Sequence, residues 1–593
     1  MIASKELTDA AKKLDVTAIE FISSFKKLLK KHPVLKVLLI YILPFFIYLV
    51  FSKLFFGPPT FSDFTKESLI PSPDTQIIIW SLHWWPFAIF HHLNPFVSKY
   101  IWSPQGFNLA WATAVPTLSF ILAPITLTSN AVISYNILTF AAPALSALAC
   151  FYLVYFITKK YFPSILAGYI FGFSSYQISQ MEGHASLYVT FLIPLLVLVF
   201  LLRFRGKLSR TIFVILSAIL IVLQFGISNE VLASFMIFSF LALLLFYYFS
   251  DKKARKLLLS TAIEFYGSFI IALVILSPYL YYMAVGLSGV PATINSPTNF
   301  STDLLNYVIP TPVTYYGSSL TSNIADHFTA DFAESGSYIG IPFLSILIYF
   351  AIKHWKKKYV KALVGILLAT MLLSLGPKLH IDGILHNKAL LPWALAAHMP
   401  LLKSALPVRF SLYIFLVIAI IVGLLLSYKT SRIMTLIKFA VVIVAIVSIA
   451  PRASIFQWNQ LPTPKVFSAK YAIDYIPNGS DVIILPFAYQ GNSLYYQYTS
   501  GMEFTQTGGY IGFIPPDQLS NPVIYSFYTN VLPPDYTQQL AAYCHDNHVA
   551  EIIYANNTSP VLIRAINNLG WKEQVVQNQV IVKVPPSLRL SSH

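Results

Sequence analysis

Charge is scarce in this sequence. Only 11% of its 593 residues are Asp, Glu, Lys or Arg, while 56% are hydrophobic and the mean hydropathy is +0.65. That balance excludes a soluble globular protein of this length. Acid is scarcer than base, with 24 Asp and Glu against 40 Lys and Arg. Cysteine occurs twice, as Cys150 within an apolar run and Cys544 near the C-terminus; the pair suggests neither a disulfide framework nor a metal site, and leaves the redox compartment unread. Repeats and low-complexity tracts are missing. The first apolar run, from about Leu35 to Phe56, lacks a small-residue cleavage site and is read as an anchor rather than a signal peptide.

What is there is a polytopic membrane pattern. The net charge of +16 comes from basic clusters set beside apolar runs, as the positive-inside rule expects, so no nucleic-acid partner is expected. The Lys-rich residues 1–32 are read as an amphipathic helix on the cytoplasmic leaflet. Apolar runs follow near 35–56, 131–157, 162–181, 185–202, 211–228, 230–249, 258–283, 337–352, 360–376, 407–427 and 433–450, giving about eleven spans and termini on opposite faces. Residues 33–454 form the expected membrane domain, with large outer loops at 57–115, 284–334 and 377–406. After Arg452 the hydropathy falls. The runs DVIILPF (481–487), AEIIYA (550–555) and QVIVKV (579–584), alternating with helical patterns at 533–547 and 559–569, predict a small extracytoplasmic α/β domain over 455–593.

The chain is organised around Pro58 to Trp111, too long for an idle connection between neighbouring spans. It holds the carboxylates Asp63, Glu67 and Asp74. After Asp74, residues Ile77, Ile78, Trp80, Trp84, Trp85, Phe87, Ala88 and Phe90 fall mostly at helical spacing, which predicts a helix lying in the membrane interface and holding Asp74 just above the bilayer. Ser72-Pro73-Asp74 is also a good helix N-cap sequence, a structural role that needs no chemistry.

Other ionisable residues gather at predicted outer turns. Glu182 and His184 in YQISQMEGHASL, and Glu230 in QFGISNEVLAS, sit where a charge is costly unless it faces a cavity, a partner or water. Arg409 falls at the outer end of a span, where a guanidinium can hold a phosphate bidentately or merely snorkel. Lys378, His380, His386, Lys388 and Lys403 make the preceding loop basic against the positive-inside trend, which favours an anionic ligand outside.

DTQIIIWSLHWW, NPF (94–96) and WSPQGFNLAWATAVP (102–116) resemble the first extracytoplasmic loop of bacterial GT-C membrane glycosyltransferases. FSTDLLNYVIPT, DFAESGSYIGIP, the leucine-glycine to proline-arginine-phenylalanine stretch 375–410, and LPFAYQGNSLYYQYTSGMEFTQTGGYIG (485–512) resemble later segments of the same enzymes, so the likeness runs through nearly the entire chain. It implies transfer of a sugar, with inversion, from a polyprenyl-phosphate-linked donor to a glycan, lipid or protein acceptor outside the bacterial cytoplasmic membrane. By this resemblance Asp74 is the base that takes the acceptor proton, and Arg409, with Lys378 and Lys403, meets the leaving phosphate. Asp63, Glu182, His184, Glu230, Asp303 and Glu334 are candidates for the cavity or acceptor site, although Asp303 also suits a helix cap. Asp63 and Asp74 do not form a compact DxD pair, so a divalent metal is not expected to be obligatory; no other cofactor is expected. The alternatives are a transporter or flippase of lipid-linked sugars, and a non-catalytic scaffold of envelope assembly.

Overall fold

The computed structural model describes residues 37–588 apart from 61, 292–293, 318 and 397–404. The predicted amphipathic helix over 1–32, and Lys403, lie outside the described residues. Among the described residues, seven helices are long and apolar enough to cross a membrane: Leu38–Phe56, Ala131–Thr158, Ala185–Phe204, Arg210–Ile227, Asn229–Phe249, Lys252–Ile275 and Pro407–Ser427. All seven fall on expected spans, but the remaining expected spans do not meet that criterion. The run 162–181 breaks into Tyr161–Gly172 and Ser175–Gln180, the second capped by the Ser174 hydroxyl accepting from the Gln177 N–H. The spans expected near 337–352, 360–376 and 433–450 are the helices Gly340–His354, Lys358–Ser374 and Arg432–Ser448, of 15, 17 and 17 residues. A further apolar helix, Pro116–Thr128, occupies residues that the sequence reading left unassigned. An apolar run reports burial; a hydroxyl cap inside it can still end one helix and begin another.

The Pro407–Ser427 helix is the axle of the bundle. Its residues Ser411 to Ala419 are all buried, packed against Ala131–Thr158, Tyr161–Gly172 and Lys358–Ser374. A helix apolar on every side must be enclosed or lipid-bathed, and this one is enclosed.

Beyond the bundle, the C-terminal region carries a five-stranded mixed sheet built from β1 (Asp481–Leu485), β2 (Thr505–Gln506), β3 (Val549–Ala555), β4 (Lys572–Val576) and β5 (Gln579–Lys583), in the order β4-β5-β3-β1-β2. β1 runs parallel to both β2 and β3, whereas β5 is antiparallel to β3 and β4. Every residue of β1 is buried, as a central parallel strand covered on both faces requires.

This sheet does not sit apart from the 57–115 loop. Ile101 bridges to Gln506 alongside β2, and the Trp102 and Ser103 N–H groups donate to Gly508 and Gln506 carbonyls at 2.9 and 3.0 Å. Ile77, Trp80, Trp84, Trp85 and Trp102 share one apolar core with Ile483, Leu485, Phe487, Leu494 and Ile524. The Pro73–Phe90 helix is therefore not an interfacial helix with its rings at headgroup level. Trp80, Trp84 and Trp85 are 0, 1 and 2% exposed, and their indole N–H groups donate to Gln497 Oε1, the Pro95 carbonyl and the Ala114 carbonyl at 2.9, 2.9 and 2.7 Å. The indoles are buried by the rest of the loop and by a segment some four hundred residues away in sequence, so neither water nor lipid reaches them.

Trp80→Ala is accordingly expected to cost about 3–5 kcal/mol, as large aromatic truncations in a packed core do. It should also open the 460–510 region to limited proteolysis in purified protein. An unchanged melting temperature and digestion pattern would mean that the ring faces lipid.

Candidate functional site

Asp74 occupies the first turn of the Pro73–Phe90 helix, but it is not the cap. Ser72 is, accepting from the Thr75 N–H at 3.2 Å. The Asp74 carboxylate is left for other use, and its Oδ2 lies 3.2 Å from Nε2 of His184 while the side chain stays 40% exposed. The approach depends on Gly183. Its φ is +127°, and a Cβ there would come within 2.6 Å of the Ser72 hydroxyl and 3.5 Å of the Asp74 Cβ. Only glycine lets the Glu182–His184 turn lie against the start of that helix.

Behind His184 the polar contacts continue inward. Its Nδ1 is 2.9 Å from Gln180 Oε1, and Gln180 Nε2 donates to Glu334 Oε2 at 3.0 Å. Since the amide nitrogen of Gln180 is committed to Glu334, its oxygen must accept, and His184 carries a hydrogen on Nδ1. When the ring is protonated, Nε2–H points at Asp74. Glu334 is gripped by Arg409, whose Nε donates to both carboxylate oxygens at 3.1 Å and whose Nη2 donates to Oε1. The Nη1 of Arg409 donates to Glu230, which also accepts the Leu406 N–H at 3.3 Å. Side-chain exposure falls to 2% at Glu334 and 13% at Arg409, then rises to 28% at Glu230. The result is a continuous network: Asp74, His184, Gln180, Glu334, Arg409, Glu230.

Burial and charge set the protonation of this network. Burial alone would push the Glu334 carboxyl up, but the Arg409 guanidinium, with His184 and Gln180, outweighs it and holds the group below the usual carboxylate range. Burial disfavours the His184 imidazolium, yet the Asp74 hydrogen bond and the Glu334 charge prevail and raise its value above that of an ordinary histidine. Glu182, half-buried beside this network, is pushed up to about 7, first by burial and then by Asp331.

The remaining sequence candidates are placed elsewhere. Asp303 is 3% exposed, and its carboxylate accepts the Leu305, Asp382 and Gly383 N–H groups at 2.9, 3.2 and 2.8 Å; it caps a turn and pins the hairpin formed by Lys378–Ile381 and Ile384–Leu390. Asp63 accepts the Thr60 N–H at 2.9 Å. Lys378 donates to Asn387 within its own hairpin at 2.8 Å. Arg409 does not stand open to a ligand, because two carboxylates already occupy its guanidinium. Gln180 and Gly183 were not singled out in the sequence, although the Glu-Gly-His turn that needs the glycine was in plain view. Among the described residues, no group of three His, Cys, Asp or Glu side chains is disposed to hold a metal ion.

The raised value of His184 makes its contribution to stability fully present below its unfolded value of about 6.5, and lost as pH rises through the folded value. Glu182 also lowers stability as pH rises, over the window from about 4.5 up to about 7. Glu182→Gln should flatten the lower part of the melting-temperature curve against pH, and His184→Asn the part above about pH 6.5. Parallel curves for wild type and both variants would refute the assignment.

Comparison with solved structures finds a similar fold in a glycosyltransferase. Mycobacterial arabinofuranosyltransferase AftD superposes with a TM-score of 0.54 at 13% identity, over 90% of this chain and 38% of AftD; the chain thus spans well under half of AftD's length. The oligosaccharyltransferase AglB of Archaeoglobus fulgidus, solved with an inhibitory peptide and a dolichol-phosphate, superposes with a TM-score of 0.47 at 14% identity, over 89% of this chain and 70% of AglB. The fold is of the GT-C type. The sequence matches no curated protein. Residues 45–449 match the family model described as Domain of unknown function (DUF6311), and the chain belongs to that family.

Proposed function

We propose that this chain is a membrane glycosyltransferase with a polyprenyl-phosphate-linked sugar donor, acting with inversion on an acceptor hydroxyl at the outer face of the bacterial cytoplasmic membrane. The observation that carries the reading is the disposition of Asp74: a partly open carboxylate at the mouth of a buried charge network, its helical cap role taken by Ser72 and its geometry fixed by His184. The charge pattern supports an outer location. Ser228, two residues from Glu230 of the network, lies at the opposite end of its helix from the basic run at Lys252/Lys253.

In this reading the acceptor oxygen attacks the anomeric carbon from the face opposite the phosphate, and the bond to the phosphate oxygen breaks. The hydroxyl proton passes to Asp74 as the new glycosidic bond forms, and the lipid phosphate leaves with the bonding electrons. His184 orients the carboxylate. The proton that Asp74 receives can move to Nε2 when the ring is neutral, since Nδ1 already carries its hydrogen. Arg409 can meet the departing phosphate only by exchanging Glu230, its more exposed partner, for phosphate oxygens, while Glu334 keeps the guanidinium in place. Lys378 and Lys403 remain candidates for steering the anionic headgroup, and Asp63, Glu182, Asp303 and Glu334 candidates for shaping the acceptor side.

Asp74→Asn keeps the shape and removes the base, so turnover of radiolabelled lipid-linked sugars should fall at least about a hundredfold with donor binding intact. Asp63→Asn and Glu182→Gln should stay within a few-fold. Normal turnover by folded Asp74→Asn would end the assignment, and translocation without turnover in wild type would make the protein a flippase.

Glu230→Gln tests the phosphate role without breaking the Arg409–Glu334 pair, whose loss would cost about 3–5 kcal/mol by itself. Releasing one face of the guanidinium should lower the donor KM. A raised donor KM would show that Glu230 itself contacts the donor and that Arg409 only holds it.

A further inference from the structure

A second concavity lies in the C-terminal region, at the carboxyl ends of the parallel strands β1 and β3. Its volume is about 270 Å³, near the small end for ligand pockets. From β1 the chain moves to β2 on one side, then crosses back to β3 on the other. The β1/β3 crevice is therefore a topological switch point, the place where open α/β sheets leave room for a ligand. Phe487 and Phe527 form its apolar part; Gln490, Asn530, Asn557 and Thr558 supply amides and a hydroxyl. No ionisable side chain lines it.

Two observations mark it as more than a surface dent. Thr558 is 3% exposed, lines the cavity, and its hydroxyl has no hydrogen-bond partner, a cost of about 1–3 kcal/mol unless something else fills the bond. Beside it begins the helix Pro560–Asn567, whose N-cap residue Ser559 makes no side-chain cap, so the first turn presents uncapped N–H groups at the rim. Donors and acceptors without charge, over aromatic rings, suit a neutral polyhydroxyl ring rather than a phosphate.

An aromatic path joins this pocket to the proposed active site. Phe487 packs on Tyr528, Tyr528 stacks on Tyr489 at 5.4 Å, and Tyr489 meets Tyr510 at 5.4 Å; Tyr510 packs against the core that holds the helix of Asp74. The loop after β1 is tied to the same helix as Asp74, with Gln76 Nε2 donating to Asn492 Oδ1 at 2.6 Å. We infer that the β1/β3 pocket is a subsite for a neutral sugar unit of the acceptor, held away from the reacting hydroxyl, with the tyrosines carrying the intervening chain toward Asp74. The word acceptor rests on the transferase reading above; the pocket's affinity for a neutral saccharide does not.

The test uses the full chain in nanodiscs, titrated with neutral di- to tetrasaccharides of glucose, galactose, mannose and rhamnose, with inorganic phosphate as competitor. At least one saccharide should bind, phosphate should not displace it, and Thr558→Val and Asn557→Ala should each weaken it about tenfold, the size of one lost hydrogen bond. Thr558→Val removes a hydroxyl that has no partner in the free protein, so its fold should be undisturbed. Asp74→Asn should bind the saccharide like wild type. Absence of binding, displacement by phosphate, or indifference to both pocket variants would overturn the subsite even if Asp74→Asn had lost turnover. Thr558-dependent binding beside normal turnover in Asp74→Asn would uphold the pocket while removing the base.

Discussion

The Arg409 guanidinium, buried between Glu334 and Glu230, is the interaction on which the rest of the site depends. It joins the central helix Pro407–Ser427 to the helix beginning at Asn229 and to the loop before Gly340, segments separated by 75 to 179 residues. Through Gln180 and His184 the same network reaches the helix that carries Asp74. Desolvating three such charges is expensive, and a partner removed from the middle would leave a buried charge without compensation. The arrangement persists because Arg409, Glu334 and Glu230 satisfy one another, with Gln180 and the Leu406 N–H as further partners.

The half of the molecule that carries the Pro73–Phe90 helix and the C-terminal sheet is fixed by a different force. The tryptophans of the Pro73–Phe90 helix and Trp102 are packed into the apolar core of the C-terminal sheet, so the helix of Asp74 and the loop after β1 are tied through one packed core. A soluble module joined only by a linker at 455 would leave the distance between Asp74 and any acceptor-holding surface undefined. The shared core, with the Trp80 to Gln497 and Gln76 to Asn492 hydrogen bonds, sets that distance.

What could be read from the sequence follows from which signals are local. Runs such as 407–427 announce themselves by hydropathy, and alternating apolar strands such as 481–485 by composition and flanking turns. The run 162–181 looks equally continuous, yet the Ser174 hydroxyl ends one helix and starts another within it. The aromatic helix after Asp74 was misplaced for a deeper reason. A tryptophan-rich face has the same pattern whether it meets headgroups or a distant part of the chain, and Gln497 is not visible from residue 80. Glu230, Glu334 and Arg409 each stand out as costly charges near apolar runs, but their pairing is a three-dimensional fact, and it turns an apparently free cation into a shared one.

That pairing gives the site an electrostatic constraint of its own. Asp74, Glu334 and Glu230 place three carboxylates around one guanidinium and one imidazole, so the network is poor in positive charge for an enzyme expected to handle a phosphate. His184 is the group that can correct this, since Asp74 and Glu334 raise its proton affinity above that of an ordinary histidine in spite of its burial. A phosphate that displaces Glu230 from Arg409 brings negative charge toward the imidazolium and must favour its protonated form further. In the proposed mechanism a protonated His184 donates Nε2–H to Asp74, and only the neutral ring, with Nε2 free, can take the acceptor proton onward. On the proposed reading, the charge state at Arg409 and the environment of Asp74 are linked through one histidine.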